Sequence, residues 1–212
     1  MLQKRLHAII PRLALLTGFC FSIEIVRIMT TFNINYIFLP WNLILAWIPL
    51  WMAIRIADET KPVRLLLYLA VWMLFFPNAP YIITDFLHLK PRDNFPFWYD
   101  SLLLFAYAFT GLTLGIFSAL LVFKRLKEFL ATWQARAFML IAMMMSGYGI
   151  YMGRFLRYNS WDILSDPFQI TGETLSRLIH PMSYPRTYGV TLMAGALLTL
   201  VFLVFESALP TE

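Results

Sequence analysis

Asn78, Tyr81, Asp85 and His88 are spaced by three, four and three residues. A helix through 79–88 puts all four on one face. An aspartate and a histidine three apart can hold a divalent metal, or the carboxylate can orient the imidazole as a general base. The bland alternative is an Asp85 paired with an arginine and a His88 in interfacial water. A second group is Arg154, Arg157, Asn159 and Asp162. Two guanidinium forks one turn apart can clamp a phosphate or a carboxylate. They can equally pair with Asp85, Asp100 or Asp162, or reach lipid headgroups. In the third group, Trp98, Tyr99, Asp100 and Ser101, Asp100 or Ser101 suits a helix cap. Asp100 joins a site only if it faces the same cavity as Asp85 and Arg154. The fourth is Glu24 and Arg27, one turn apart in an apolar stretch. They read as an intramembrane ion pair that either serves function or fixes helix packing, with Glu24 alternatively reaching Arg154 or Arg157. Asp85 and His88 are therefore the candidate catalytic residues. Asn78, Tyr81, Asp100, Arg154, Arg157, Asn159 and Asp162 are the candidate binding residues.

The elements that must position these groups are membrane helices. Apolar residues make up 60% of the 212 positions and charged ones 14%, against roughly 25% charged in a soluble domain. The mean hydropathy is +0.68. Asp, Glu, Lys and Arg are missing from 28–54, 65–84, 101–123, 137–153 and 187–205. Each run approaches or exceeds the roughly 17–25 residues of a spanning helix. A sixth run, 13–32, carries only Glu24 and Arg27. The expected fold is an all-α, polytopic bundle in one integral membrane domain over 1–212. Its spans fall at about 13–32, 37–55, 64–84, 101–123, 136–153 and 187–206. A spanning β-barrel would show short alternating segments instead. The basic, then apolar, N-terminus lacks a small-residue cleavage site and reads as a retained first helix. The lone Cys20 rules out an internal disulfide.

The net charge of +5 speaks of topology rather than nucleic acid, because no basic stretch sits on a soluble domain. Lys4, Arg5 and Arg12, then Arg55, Lys61 and Arg64, then Lys124, Arg125, Lys127 and Arg136 mark three segments on one face. Short loops rich in Lys and Arg stay cytoplasmic. The uncharged 30–36 connection, with 84–100 and 154–186, falls outside, and both termini fall in the cytoplasm. Trp41, Trp98 and Trp161 mark the outer boundary, and Trp51 and Trp133 the inner one. Trp47 and Trp72 lie deeper and read as packing residues.

Pro77-Asn78-Ala79-Pro80 interrupts the third span. Proline removes a donor and disfavours helix just before it. The spacing predicts a break near 76–78, Asn78 as N-cap, and a polar outward cavity at 77–88 that supplies the freed backbone groups. Gly111/Gly115 and Gly149/Gly153 are GxxxG pairs that permit close helix contact. In the 154–187 connection, Ser160 suits the cap of a short helix at 161–165 and Asp166-Pro167 a cap and first turn. Residues 170–180 read as a short amphipathic helix, with Leu175, Leu178 and Ile179 on one side, lying on the membrane or over the cavity.

The strings FFPNAPYIITDFLHL, WYD and YMGRFLRYNSWD resemble the bacterial membrane proteins grouped as domain of unknown function 1361, in the same order and over nearly the whole chain. Asn78, Tyr81, Asp85, His88, Trp98, Asp100, Arg154, Arg157, Asn159, Trp161 and Asp162 match that pattern. The resemblance implies a multi-pass bacterial plasma-membrane protein and no activity. The residues themselves point three ways: a site for a lipid-linked or phosphorylated substrate, a structural accessory subunit, or a carrier of a small anion or proton-coupled solute. The last ranks below the others because 39–52 and 110–123 offer few polar groups. No nucleophile elbow, HExxH, P-loop, GxGxxG or CxxC motif is present. A divalent metal is thus the one cofactor with any reading. Membrane lipid is the one partner class implied.

Overall fold

The computed structural model describes residues 2–91 and 95–208, with side chains from residue 9 onward. The side chains of Lys4 and Arg5, used above for topology, lie outside the described residues. Among the described residues, six helices are long and apolar enough to cross a membrane: Ile9–Thr31, Phe38–Asp58, Pro62–His88, Phe97–Leu126, Thr132–Phe155 and Pro185–Ser207. In chain order the helices are α1 (Leu2–Thr31), α2 (Phe38–Asp58), α3 (Pro62–Phe75), α4 (Asn78–Tyr81), α5 (Phe97–Leu126), α6 (Thr132–Phe155), α7 (Asp162–Ser165), α8 (Pro167–Ile179) and α9 (Pro185–Ser207). A 3-10 segment, Ile82–His88, continues α4.

Sequence periodicity explains the layering. In α5 the small and apolar residues Leu103, Leu104, Tyr107, Ala108, Gly111, Leu114, Gly115 and Ala119 recur at helical spacing and are buried. α5 is accordingly the central helix: 67% of its apolar window is buried, against 17% in α1 and in α9. α2 packs along α5 and α3, α1 lies against α5, and α9 lies along α6. Trp72 is fully buried, stacks on Phe76 at 4.6 Å and donates to Ser118 Oγ at 3.3 Å. Trp47 donates to Thr17 Oγ1 at 3.0 Å. Both tryptophans pack inside, as expected, whereas Trp41, Trp98, Trp133 and Trp161 are exposed near helix ends and Trp51 is exposed on the side of α2.

The third span does not swing open at its prolines. Phe76 and Pro77 keep right-handed helical angles, and the chain passes from α-helix to 3-10 geometry at Ile82. Asn78 is not an accepting N-cap. Its amide donates to the Phe75 carbonyl at 3.0 Å, because the Ala79 N–H has moved to the Phe76 carbonyl at 3.2 Å and left Phe75 unserved.

Both glycine pairs hold this irregular piece. A Cβ on Gly111 would lie 2.7 Å from the Ala79 carbonyl, and one on Gly115 3.0 Å from Ala79 Cβ. On the other side, a Cβ on Gly149 would lie 2.7 Å from Pro77, and one on Gly153 2.9 Å from the Tyr81 ring. α5 and α6 therefore close on Pro77–Ile82 from two sides, with backbones near enough to stand in for lipid.

The bundle has two unlike ends. At one, the Arg125 guanidinium donates to the Glu59 carbonyl and Arg136 pairs with Glu206 at 2.8 Å. This joins the basic connections to the end of α9. At the other end lie Arg27, Asn42, Asp85, Asp100 and Arg154. There, α8 begins at Pro167, capped as expected by Asp166, whose carboxylate accepts from Gln169 N at 3.3 Å, so that the cap and the amphipathic 170–179 stretch form one helix. Its polar side is pinned inward: Tyr148 Oη donates to Thr174 Oγ1 at 3.0 Å, Tyr188 Oη to the Arg177 carbonyl at 2.8 Å, and Arg177 lies over the Tyr184 ring at 4.7 Å. Phe168, Leu175, Leu178 and Ile179 are left exposed on the far side, the amphipathic arrangement of an interfacial helix.

Candidate functional site

The polar end holds two arginine–carboxylate pairs. In the first, Arg154 on α6 and Asp85 on the 3-10 segment form an ion pair, with side chains 10% and 1% exposed. Asn42 Nδ2 donates to the other Asp85 oxygen at 3.0 Å. Arg154 Nε donates to Thr84 Oγ1 at 2.8 Å, its guanidinium lies 4.4 Å over the Tyr81 ring, and Nη1 is 3.4 Å from His88 Nδ1. A guanidinium only donates, so that last contact is made by an imidazole that carries its proton on Nε2. His88 is itself exposed and stands 5.0 Å from the Phe38 ring. The 3-10 turn makes this possible, since with three residues per turn Asp85 and His88 line up on one edge.

Arg154 forms part of the wall of a cavity of about 940 Å³ between α2, α3, α4, α6 and α8. Its upper wall carries Asn78, Tyr81, His88, Arg154, Arg157, Tyr158, Asn159 and Ser160; lower down it is Ala70, Met73, Leu74, Met145, Gly149 and Met152. Among the described residues, two arginines and one histidine line it, and no carboxylate does. Arg154 is neutralised by Asp85, which is buried behind it. Arg157 has no hydrogen bond, ion pair or ring contact among the described residues. Its backbone is left-handed, with φ 64°. The chain turns there as α6 ends, and Tyr158 N–H returns to the Met152 carbonyl at 3.2 Å. Glycine is the usual residue for such a turn, and an arginine costs about 1–2 kcal/mol.

The second pair is elsewhere. Arg27 on α1 forks onto Asp100 on α5, Nε to Oδ1 at 2.7 Å and Nη2 to Oδ2 at 3.3 Å, with side chains 1% and 4% exposed. Arg27 also lies 4.4 Å over the Tyr36 ring. This corrects the expectations for Glu24 and Arg27 and for Asp100. Arg27 does not pair with Glu24, because a bidentate fork to a facing helix is better aligned than a neighbour on the same helix. Glu24 is buried with both carboxylate oxygens unbonded, and it does not reach Arg154 or Arg157. Asp100 does not join the cavity and does not cap α5, which begins earlier, after Pro96.

Other sequence-level candidates also separate. Asn78, Tyr81, His88, Arg154, Arg157 and Asn159 come together on the cavity wall. Asp85 supports that wall from behind. Asp162 lies off it and accepts from Asn159 N at 2.7 Å, closing a local turn. Ser160 does not cap α7: its hydroxyl takes the Asn78 amide at 2.9 Å and donates to the Leu74 carbonyl at 3.2 Å. Among the described residues no three His, Cys, Asp or Glu side chains converge as metal ligands. On the cavity wall a divalent cation would meet one histidine and two guanidiniums. Asn42 and Thr84 were missed. Asn42 was legible as the only strongly polar side chain in the 37–54 run; Thr84 carried no signal, since threonines are common in spans.

Six spanning helices around a buried polar end define a multi-pass helical membrane protein. Residues 41–201 match the family described as Protein of unknown function (DUF1361), and the chain belongs to it. No curated protein and no solved structure matches the chain.

Proposed function

We propose that the cavity binds the anionic group of a phosphorylated substrate, free or lipid-linked. One observation carries this: among the described residues, Arg157 is an unpartnered guanidinium at the mouth of a cavity lined by arginine and histidine with no carboxylate. A residue held in a costly backbone conformation at such a place fits stored strain at a ligand site. Arg157 supplies the fork, His88 Nε2–H and the Asn159 amide supply further donors, and Arg154 adds a second guanidinium held by Asp85. Asp85 then acts through Arg154 as a positioning residue. Acid–base chemistry on a bound phosphate would fall to His88. We also propose that this end faces outward from a bacterial plasma membrane, with both termini cytoplasmic. The Lys- and Arg-rich connections at the opposite end support that orientation.

Inorganic phosphate and hexadecyl phosphate, added to the purified protein in zwitterionic nanodiscs, test the reading. At least one should bind and raise the melting temperature, and Arg157→Ala should abolish the effect. No binding, or equal binding by Arg157→Ala, would sink it.

A structural, accessory role is the second reading, favoured by the closed Arg27–Asp100 pair, which offers nothing to a ligand. Transport ranks lower, because the core beside the cavity, where buried Trp72 stacks on Phe76 and bonds Ser118, offers no polar route among the described residues.

A further inference from the structure

The cavity is amphipathic along the membrane normal, and its lower part is not sealed. Ala70 on α3 and Met145 on α6 both line it and both are exposed on the bundle surface, Met145 by 52%. They sit mid-span, where the surroundings are hydrocarbon. The cavity therefore has a side opening between α3 and α6, lined by Ala70, Met73, Leu74 and Met145.

Its dimensions follow from helix geometry. Eight residues separate Ala70 from Asn78, and nine separate Met145 from Arg154. At 1.5 Å per residue the apolar wall runs roughly 12–14 Å below the cationic rim. That is close to one leaflet of a hydrocarbon core about 30 Å thick. The rim sits at interfacial level. Trp41, on the cavity wall, meets Trp161 edge-on at 6.4 Å, and such rings settle at the headgroup zone. α8 closes the opposite flank with Ile170 and Thr174 while turning its apolar side outward. Charge at headgroup height, an apolar wall one leaflet deep and an opening toward lipid are three features a water-borne phosphate would not require.

We infer that the ligand is a lipid of the adjoining leaflet with a phosphate headgroup, which enters sideways between α3 and α6 and leaves one chain against Ala70, Met73, Leu74 and Met145. The inference rests on the phosphate-binding reading and adds the source of the ligand and its route.

The test compares the same two probes on the full-length protein in zwitterionic nanodiscs, with Ala70→Trp and Met145→Trp as variants. Both positions are exposed, so a larger side chain fills the opening without entering the core. Hexadecyl phosphate should bind about tenfold or more tighter than inorganic phosphate, since each buried methylene adds affinity. Each tryptophan variant should weaken hexadecyl phosphate about tenfold while leaving phosphate binding and melting temperature unchanged. Equal affinity for the two probes, or hexadecyl phosphate binding indifferent to both tryptophans, overturns lateral lipid entry. If either result comes with binding that still needs Arg157, the phosphate site itself survives. Binding of neither probe, or binding that ignores Arg157→Ala, removes both readings together.

Discussion

The two arginine–carboxylate pairs at the polar end have the same chemistry and opposite surroundings. Arg27–Asp100 is a closed fork between α1 and α5, under the Tyr36 ring and away from the cavity. Arg154–Asp85 is closed on one side only. Its carboxylate is buried and held by Asn42, while its guanidinium forms cavity wall beside His88. Burial of an ion pair in a membrane is costly, and each partner is retained because removing the other strands a charge. The first pair spends that constraint on packing two helices. The second fixes an arginine at a surface that a ligand can reach. Pairing alone thus does not separate structure from function; what lies on the open side of the guanidinium does.

Five substitutions would sharpen or break this contrast. The largest effect is expected for Asp100→Ala, which leaves Arg27 buried with the Asn33 carbonyl at 3.3 Å as its remaining acceptor among the described residues. A loss of about 3–5 kcal/mol should appear as a large drop in melting temperature in detergent or nanodiscs. Asp85→Ala should cost less, about 1–3 kcal/mol, because Arg154 keeps Thr84 and faces a cavity that can admit water. Equal drops for the two variants would mean the cavity is dry at Arg154 and the contrast is false.

Gly149→Ala probes the clasp on the broken helix. The new Cβ would stand 2.7 Å from the Pro77 ring, which is rigid, so a destabilisation of about 1–3 kcal/mol is expected. Gly18→Ala is the control: its Cβ would meet nothing within 4 Å, and a gain of about 0.5–1 kcal/mol from better helix propensity should be seen. A harmless Gly149→Ala would show that α6 and Pro77 can separate.

Arg157→Gly should give a small change and, like Gly18→Ala, a gain. Relief of the left-handed backbone should raise stability by about 1 kcal/mol, read by the same melting curves, while phosphate-probe binding is lost. A destabilised Arg157→Gly would reveal that the side chain holds the fold together after all.

Legibility differed by kind of feature. The six spans, the interior places of Trp47 and Trp72, and the Asp166 cap were readable because each depends on local composition or on a neighbour a few residues away. The cavity-wall residues Asn78, Tyr81, His88 and Arg154 were readable as two faces from spacing within single helices. The partner assignments were not. Glu24 and Arg27 have the ideal spacing for a pair, yet Arg27 turns to Asp100, 73 residues away. Asp85 and His88 read as an acid–base couple, yet the carboxylate faces Asn42 and Arg154.

Sequence alone therefore determined the solvent and the span count, because a bilayer imposes length and apolarity on each helix separately. It also determined where the polar residues collect along those helices. Tertiary structure alone decided which carboxylate Arg27 and Arg154 take, that the proline break remains helical between two glycine pairs, and that Arg157 finds no partner among the described residues. Those outcomes depend on which helix faces compete for the same group at 3 Å, and no spacing within one helix records that competition.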